Sequence, residues 1–221
     1  MKKQINVLAD ILDENELTAQ KINASLTAQK TLALNIMGSP GCGKTTFLEK
    51  TIAALKADYR FAVIEGDLYT DKDARRILAH GVPAVQINTA GGCHLNAAMV
   101  ETVLPELDLA NLDILIVENV GNLVCPAEFN VGEHAKIVVL SVTEGEDKPQ
   151  KYPLAFRAAE VAIINKIDLL PYTDFDLEAA TRDILALNPA IKLINLSCKS
   201  GAGFDIWLAW LQERLRSFTS Q

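Results

Sequence analysis

The chain has 221 residues, 49% of them hydrophobic and 22% charged, with a net charge of −7 at pH 7. That size suits one α/β domain with a sizeable core, and no run approaches the roughly 18 apolar residues of a membrane span. An acidic balance without a basic stripe excludes a general nucleic-acid surface. Four cysteines, and an N-terminus (Met1-Lys2-Lys3-Gln4) with no apolar secretory core after it, lead us to expect reduced thiols and a cytoplasmic location.

Residues 4–29 place Ile5, Leu8, Ile11, Leu12, Leu17, Ile22 and Leu26 at mostly helical spacing. One or two amphipathic helices are expected there, with a break near Asp13–Glu16. They form an N-terminal helical extension (1–30) to the main domain (31–221). From residue 31 strands and helices alternate. Strands are expected at 31–37, 61–66, 84–88, 112–118, 136–142, 160–165 and 191–196. Helices are expected at 44–57, 71–80, 94–109, 152–158, 174–187 and 203–218. Runs such as Ile114-Leu115-Ile116-Val117 lack two-residue alternation, as strands buried on both faces do. The predicted fold is α/β: a P-loop NTPase with a doubly wound, mostly parallel sheet flanked by helices. Its ligands belong at the carboxyl ends of the strands.

The first strand and first helix of this array are joined by Gly38-Ser39-Pro40-Gly41-Cys42-Gly43-Lys44-Thr45, a complete G-x-x-x-x-G-K-[ST] loop. Gly38, Gly41 and Gly43 let the backbone curl so that its N–H groups face phosphate oxygens. Lys44 can reach the β- and γ-phosphates, the Thr45 hydroxyl can ligate Mg²⁺, and Thr46 completes the nucleotide-binding run. The phosphates would sit at a helix N-terminus.

The strand at 160–165 ends in Asn165-Lys166-Ile167-Asp168, an N-K-x-D guanine reader. An Asp168 carboxylate can accept from the ring N1–H and the exocyclic amine, a donor pair adenine lacks. The Lys166 stem can lie along the base, and Asn165 can tie the loop to its neighbours. Ser197-Cys198-Lys199 resembles the last guanine-contacting segment of G proteins, usually S-A-K. GTP or GDP is therefore the expected nucleotide.

Glu118-Asn119-Val120-Gly121 has the spacing of the D-x-x-G element of GTPases, with Glu in place of Asp. Its carboxylate would hold Mg²⁺ through a water, and the Gly121 N–H would meet the γ-phosphate. Asp67, at the end of a strand, is the other carboxylate placed for the metal or an attacking water. Lys44, Asp67, Glu118 and Gly121 form the expected catalytic set, with Thr45, Asp67 and Glu118 on Mg²⁺. No glutamine or arginine presents itself as a water-positioner, so slow intrinsic hydrolysis is expected.

Cys93 and His94 follow the third strand, and Cys125 follows Gly121 by four residues. All lie past strand carboxyl ends. Two thiolates and one imidazole suit Zn²⁺ or Ni²⁺. Taken alone, these residues more readily suit two inert cysteines and a surface histidine. Three ligands leave a tetrahedral shell to be filled by water or by a second subunit. His80 and His134 read as surface residues, and Cys42 as a tolerated small residue in the loop.

The P-loop, E-G-D, G-G-C-H-L, E-N-V-G-N-L-V-C-P, T-E-G-E-D-K-P, N-K-I-D and S-C-K-S-G together resemble the HypB hydrogenase maturation GTPases, over roughly residues 30–205. The resemblance implies a SIMIBI-class G domain that supplies nickel to the large-subunit precursor of [NiFe]-hydrogenase, with a HypA-type accessory protein as partner. It also implies a homodimer when GTP is bound, and Ni²⁺ or Zn²⁺ on Cys93, His94 and Cys125. Glu144–Pro149 matches a signature whose charges suggest an inter-subunit contact. Residues 1–30 hold no Cys or His, unlike family members with an N-terminal nickel site or a His-rich tract. Two alternatives share these features. One is a urease-type GTPase chaperone, whose Cys-Pro-His motif is here Cys125-Pro126-Ala127. The other is a nucleotide-regulated Ni/Zn sensor.

Overall fold

A computed structural model describes residues 7–67 and 72–220. Seven strands form one sheet: β1 (Leu32–Gly38), β2 (Phe61–Asp67), β3 (Ala84–Asn88), β4 (Ile114–Glu118), β5 (Ala135–Ser141), β6 (Val161–Asn165) and β7 (Lys192–Asn195). Their order is β3-β2-β4-β1-β5-β6-β7, and every ladder is parallel. The chain winds out to one side of β1 as far as β3, returns to β4 beside β1, then crosses over to β5. That reversal opens a crevice at the carboxyl end of β1, where doubly wound folds take their ligands.

Nine helices accompany the strands among the described residues: α1 (Val7–Ala28), α2 (Lys44–Leu55), α3 (Lys72–Leu78), α4 (Ala97–Val103), α5 (Cys125–Glu128), α6 (Lys148–Lys151), α7 (Pro153–Ala158), α8 (Leu177–Leu187) and α9 (Phe204–Thr219). Alternate residues of β1 explain the two layers. Leu32, Leu34 and Ile36 face a core built with Phe47 and Ile52 of α2, Ile77 of α3 and Trp207 and Leu211 of α9. Ala33 faces Ile22 and Leu26 of α1 and Val100 of α4. Met37 faces Phe156 of α7 and Ile184 of α8. Behind α2, Trp207 lies 4.8 Å from Phe47 and 5.2 Å from Trp210, ring to ring, and its Nε1 donates to Thr51 Oγ1 at 2.9 Å.

All seven expected strands are present, to within two residues at either end. Several helices differ. The break expected near Asp13–Glu16 is absent, because α1 runs through it. Asn15 stays helical and spends its side chain on distant backbone, donating to Asn130 O and accepting from Ala97 N, each at 2.8 Å. Ile5 and the start of the 71–80 helix fall outside the described residues. The expected 94–109 helix begins only at Ala97, capped by Asn96 Oδ1, which accepts from Met99 N at 2.9 Å. Pro105, lacking an N–H, gives way to short 3-10 turns at Leu104–Glu106 and Leu109–Asn111. The expected 152–158 helix is α7, starting at Pro153, and a separate short helix that the sequence did not suggest, α6, precedes it and ends before Tyr152.

α1 is packed, not free. Ala19, Ile22 and Leu26 recur on one buried face. Gly132, at φ +92°, lies under Ile22, and a Cβ there would come within 2.3 Å of Ile22 Cγ2. His134, expected at the surface, is instead half-buried between layers. Its Nδ1 accepts from Ala33 N at 2.9 Å, and its Nε2 lies 2.9 Å from Thr27 Oγ1. Thr27 Oγ1 in turn donates to Asn23 O, so the ring is a neutral tautomer with its proton on Nε2. Burial, with Arg214 adding to it, lowers its pKa to about 4. His80 stays half-exposed, 3.9 Å from Glu49.

Candidate functional site

The P-loop turns between β1 and α2 through two left-handed glycines, Gly41 at φ +80° and Gly43 at φ +99°. Only glycine enters that region without strain. Gly38 also has no room for a side chain, since a Cβ would sit 2.6 Å from both Cys42 Sγ and Val139 O. Lys44 lies along the loop, donating to Gly38 O at 3.2 Å and Ser39 O at 3.4 Å. Cys42 is buried in the loop, and burial pushes its thiol up to about 11, so it is inert at neutral pH.

The N-K-x-D segment leaves β6 and turns back on the loop. Asn165 Nδ2 donates to Cys42 O at 2.9 Å, and its Oδ1 accepts from Lys166 N and Cys198 N. Lys166 Nζ donates to Gly41 O at 2.6 Å. Ser197 Oγ donates to Asp168 Oδ1 at 2.5 Å and accepts from Lys199 N and Ser200 N. Thus the residues expected to read the base are wired to one another and to the phosphate loop.

A cleft of about 510 Å³ opens between the P-loop and the ends of β2 and β4. Pro40, Lys44, Thr45, Thr46, Asp67, Glu118 and Gly121 all line it, so the expected phosphate, cation and switch residues share one space. Thr45 Oγ1 donates to Glu118 Oε1 at 2.9 Å. Glu118 Oε2 is buried without a hydrogen-bond partner. The burial of Glu118 raises its pKa, against the pull of the Lys44 charge and the Thr45 hydrogen bond. A dry carboxylate with an unused oxygen, beside a hydroxyl and a lysine, suits a hard cation with phosphate ligands.

The cleft is also lined by Glu65 and by Arg76 of α3, to which the sequence pattern gave no role. Arg76 Nη2 bonds Thr46 Oγ1 at 3.0 Å and Glu49 Oε2 at 2.6 Å, and its Nη1 bonds Asp73 Oδ1 at 3.0 Å. The 30-residue separation of Thr46 and Arg76 hides this contact, which crosses from α2 to α3.

Cys93, His94 and Cys125 meet, their ligand atoms all within 4.8 Å of one another. Cys93 Sγ lies 3.0 Å from Cys125 Sγ and 3.5 Å from His94 Nδ1. His94 stacks on Phe129 at 4.1 Å. Burial lowers its pKa, keeping the imidazole neutral and able to donate a lone pair. The Cys93 hydrogen bond, followed by burial, raises the Cys125 pKa. The donor set is soft and suits Ni²⁺ or Zn²⁺, not Mg²⁺.

Nucleotide cleft and thiol cluster are joined by two asparagines. Asn122 forms an antiparallel bridge with Gly38 of the P-loop, and its Nδ2 donates to Cys93 O at 3.1 Å. Asn119 Oδ1 accepts from Leu95 N, next to His94, at 3.0 Å, and its Nδ2 donates to Asn35 Oδ1 on β1. Gly121 presses on the loop so closely that a Cβ would lie 2.8 Å from Pro40 Cγ.

A parallel sheet with a P-loop at its switch point defines a P-loop nucleotide-binding protein, and it carries a thiol–imidazole cluster whose donors could hold a metal. The nucleotide-binding domain model of the CobW/HypB/UreG family matches residues 32–195. The chain is 50% identical over 211 residues to the hydrogenase maturation factor HypB of Escherichia coli K12, covering 96% of this chain and 73% of that protein. It superposes on the crystal structure of HypB from Archaeoglobus fulgidus with a TM-score of 0.87 at 37% identity, over 92% of this chain and 99% of that one. HypB from Helicobacter pylori, solved in complex with nickel, gives a TM-score of 0.86 at 39% identity, over 92% and 96%. The chain belongs to the HypB family of hydrogenase maturation factors. No helix among the described residues is long and apolar enough to cross a membrane.

Proposed function

We propose that this chain binds and slowly hydrolyses GTP, and that the nucleotide state governs the hold of Cys93, His94 and Cys125 on a nickel cargo bound for [NiFe]-hydrogenase. The observation that carries this reading is Asn122, which touches the P-loop strand with its backbone and the Cys93 loop with its side chain.

The roles follow the geometry. Residues 38–46 cradle the phosphates, with Lys44 leaving Gly38 O and Ser39 O to reach the β- and γ-oxygens. Asp168, held by Ser197, accepts from guanine, while Lys166 flanks the base. Cys198 and Lys199 close the pocket through backbone. Thr45, Asp67 and Glu118 would hold Mg²⁺, which neutralises charge gathering on the transferred phosphoryl group. Gly121 offers its N–H to the γ-phosphate and is pressed on Pro40. Arg76 is tied to Glu49 and Asp73, so charge stabilisation in cis is incomplete and turnover is slow. When the γ-phosphate leaves, the 118–125 segment relaxes and moves Cys125, a metal ligand.

Three ligands leave room for another donor, from a second copy in a GTP-bound homodimer or from a HypA-type accessory protein. The hydrogenase large-subunit precursor is the acceptor. Residues 1–30 serve as a helical extension of the G domain at 31–221. Linkage makes the central idea measurable, because nickel must then alter affinity for GTP. Ni²⁺ affinity titrated with GDP and with a non-hydrolysable GTP analogue should differ at least tenfold, about 1.4 kcal/mol. The difference should vanish in Cys125→Ala. Equal affinities in the unmodified protein would leave a passive metal binder.

A further inference from the structure

Glu65 lies in the middle of the sheet's working edge, yet the switch and P-loop motifs give it no task. β2 and β4 are parallel neighbours, and Glu65 stands in register with Glu118. Both side chains line the nucleotide cleft with Lys44, Thr45 and Asp67. Glu65 is only 3% exposed and Glu118 5%. Each keeps one buried carboxylate oxygen, Glu65 Oε1 and Glu118 Oε2, without a hydrogen-bond partner among the described residues.

Two acids buried side by side are costly by themselves. Each carboxyl loses its water, and two charges there would repel. Burial and the Glu118 charge therefore hold the Glu65 pKa well above the usual carboxylate range, and without a cation the pair shares a proton. A glutamate that served only packing would be replaced at little cost by a methionine or leucine of similar size. Lys44 faces loop carbonyls, at 3.2 Å from Gly38 O and 3.4 Å from Ser39 O, and does not bond Glu65. The neighbouring Gly66 is packed under Leu95, where a Cβ would come within 2.8 Å, so the backbone holding Glu65 is fixed. A cation of charge two with oxygen ligands resolves the repulsion and the orphaned oxygens together.

We propose that Glu65 is a further carboxylate of the divalent-cation site, holding the cation together with Glu118 on the adjacent strand. This rests on the cleft being the Mg²⁺–nucleotide site, and adds to Thr45, Asp67 and Glu118 a residue that the nucleotide motifs do not name. Mn²⁺ is the probe, since it accepts the same oxygen ligands. Free Mn²⁺ is followed by electron paramagnetic resonance as it is titrated into the full chain with GDP. Glu65→Gln keeps the shape of the side chain and removes its charge. It should weaken Mn²⁺ binding at least tenfold. Binding within twofold of the unmodified chain would overturn the proposal. A second measurement needs no folded variant. In the unmodified chain, with ¹³C-labelled glutamate carboxyls, Mn²⁺ should broaden the Glu65 signal far more than that of exposed Glu213 on α9. Equal broadening would overturn the proposal. Repeating the titration with ADP separates the two claims. Indifference between GDP and ADP would remove the guanine assignment while leaving the Glu65 comparison readable.

Discussion

His134 joins three parts of the molecule, and lowering the pH should loosen that joint. Its neutral ring accepts from Ala33 N on β1, faces Thr27 on α1 and lies 4.4 Å from Phe218 on α9. Protonation would set an Nδ1–H against the Ala33 N–H, two donors with no acceptor between them. The pKa falls from 6.5 to about 4 on folding. Because the folded value is the lower one, the neutral ring's contribution is complete above about pH 6.5. It is lost progressively as pH falls from there to about 4. At pH 5 linkage between those two values gives a loss of about 2 kcal/mol. The ring is only partly buried, so solvent screening reduces this to about 1 kcal/mol. Urea unfolding of the unmodified chain and of His134→Asn at pH 7.5 and pH 5.0 isolates the effect. Asn can still accept from Ala33 N but does not titrate, and every other group cancels. The unmodified chain should lose about 1 kcal/mol more than the variant between the two pH values. A difference that stays constant within about 0.3 kcal/mol would refute the assigned tautomer and its burial.

Other substitutions probe the remaining parts. Gly132→Ala forces a side chain into φ +92° and onto Ile22. It should cost about 2–4 kcal/mol and speed proteolysis within α1, seen by thermal unfolding and limited digestion. An unshifted melting point would mean that α1 does not seat there. Asp168→Asn removes two charge-assisted acceptors for guanine and should weaken GTP roughly 100-fold in competition with a fluorescent analogue, leaving ATP nearly unchanged. Parallel losses for both nucleotides would remove base recognition from Asp168. Trp207→Phe deletes the bond to Thr51 and opens a void behind α2, a loss of about 2–3 kcal/mol in chemical denaturation.

The parts legible in the sequence were those whose physics is local. The P-loop needs glycines where φ is positive, and Gly41 and Gly43 show it. The strands are short runs with both faces apolar, so Ile114–Val117 and Ile137–Leu140 could be recognised without knowing their neighbours. The uninterrupted α1 turned on partners far along the chain, whereas the shortened 94–109 helix turned on local capping and a proline. Asn15 looks like a helix breaker until its side chain meets Asn130 and Ala97. His134 looks like a surface residue until Thr27 and Ala33 enclose it. Glu65 beside Glu118 is a matter of strand register, which no spacing along one strand reveals. Cys93, His94 and Cys125 lie between: their types suggested a metal, but their meeting depends on Asn119 and Asn122 drawing two loops together.

The stacked indoles behind the P-loop helix have a practical consequence. Trp207 and Trp210 are the only tryptophans in the chain. They lie 5.2 Å apart with ring planes inclined at 22°. Trp207 also meets Phe47, two residues past the Thr45 hydroxyl. All indole emission therefore arises from a single coupled pair whose optical activity depends on its mutual angle. A sub-ångström shift of α2 would alter near-ultraviolet circular dichroism. The protein carries its own unlabelled gauge of the nucleotide site, readable in the same cuvette as metal titrations.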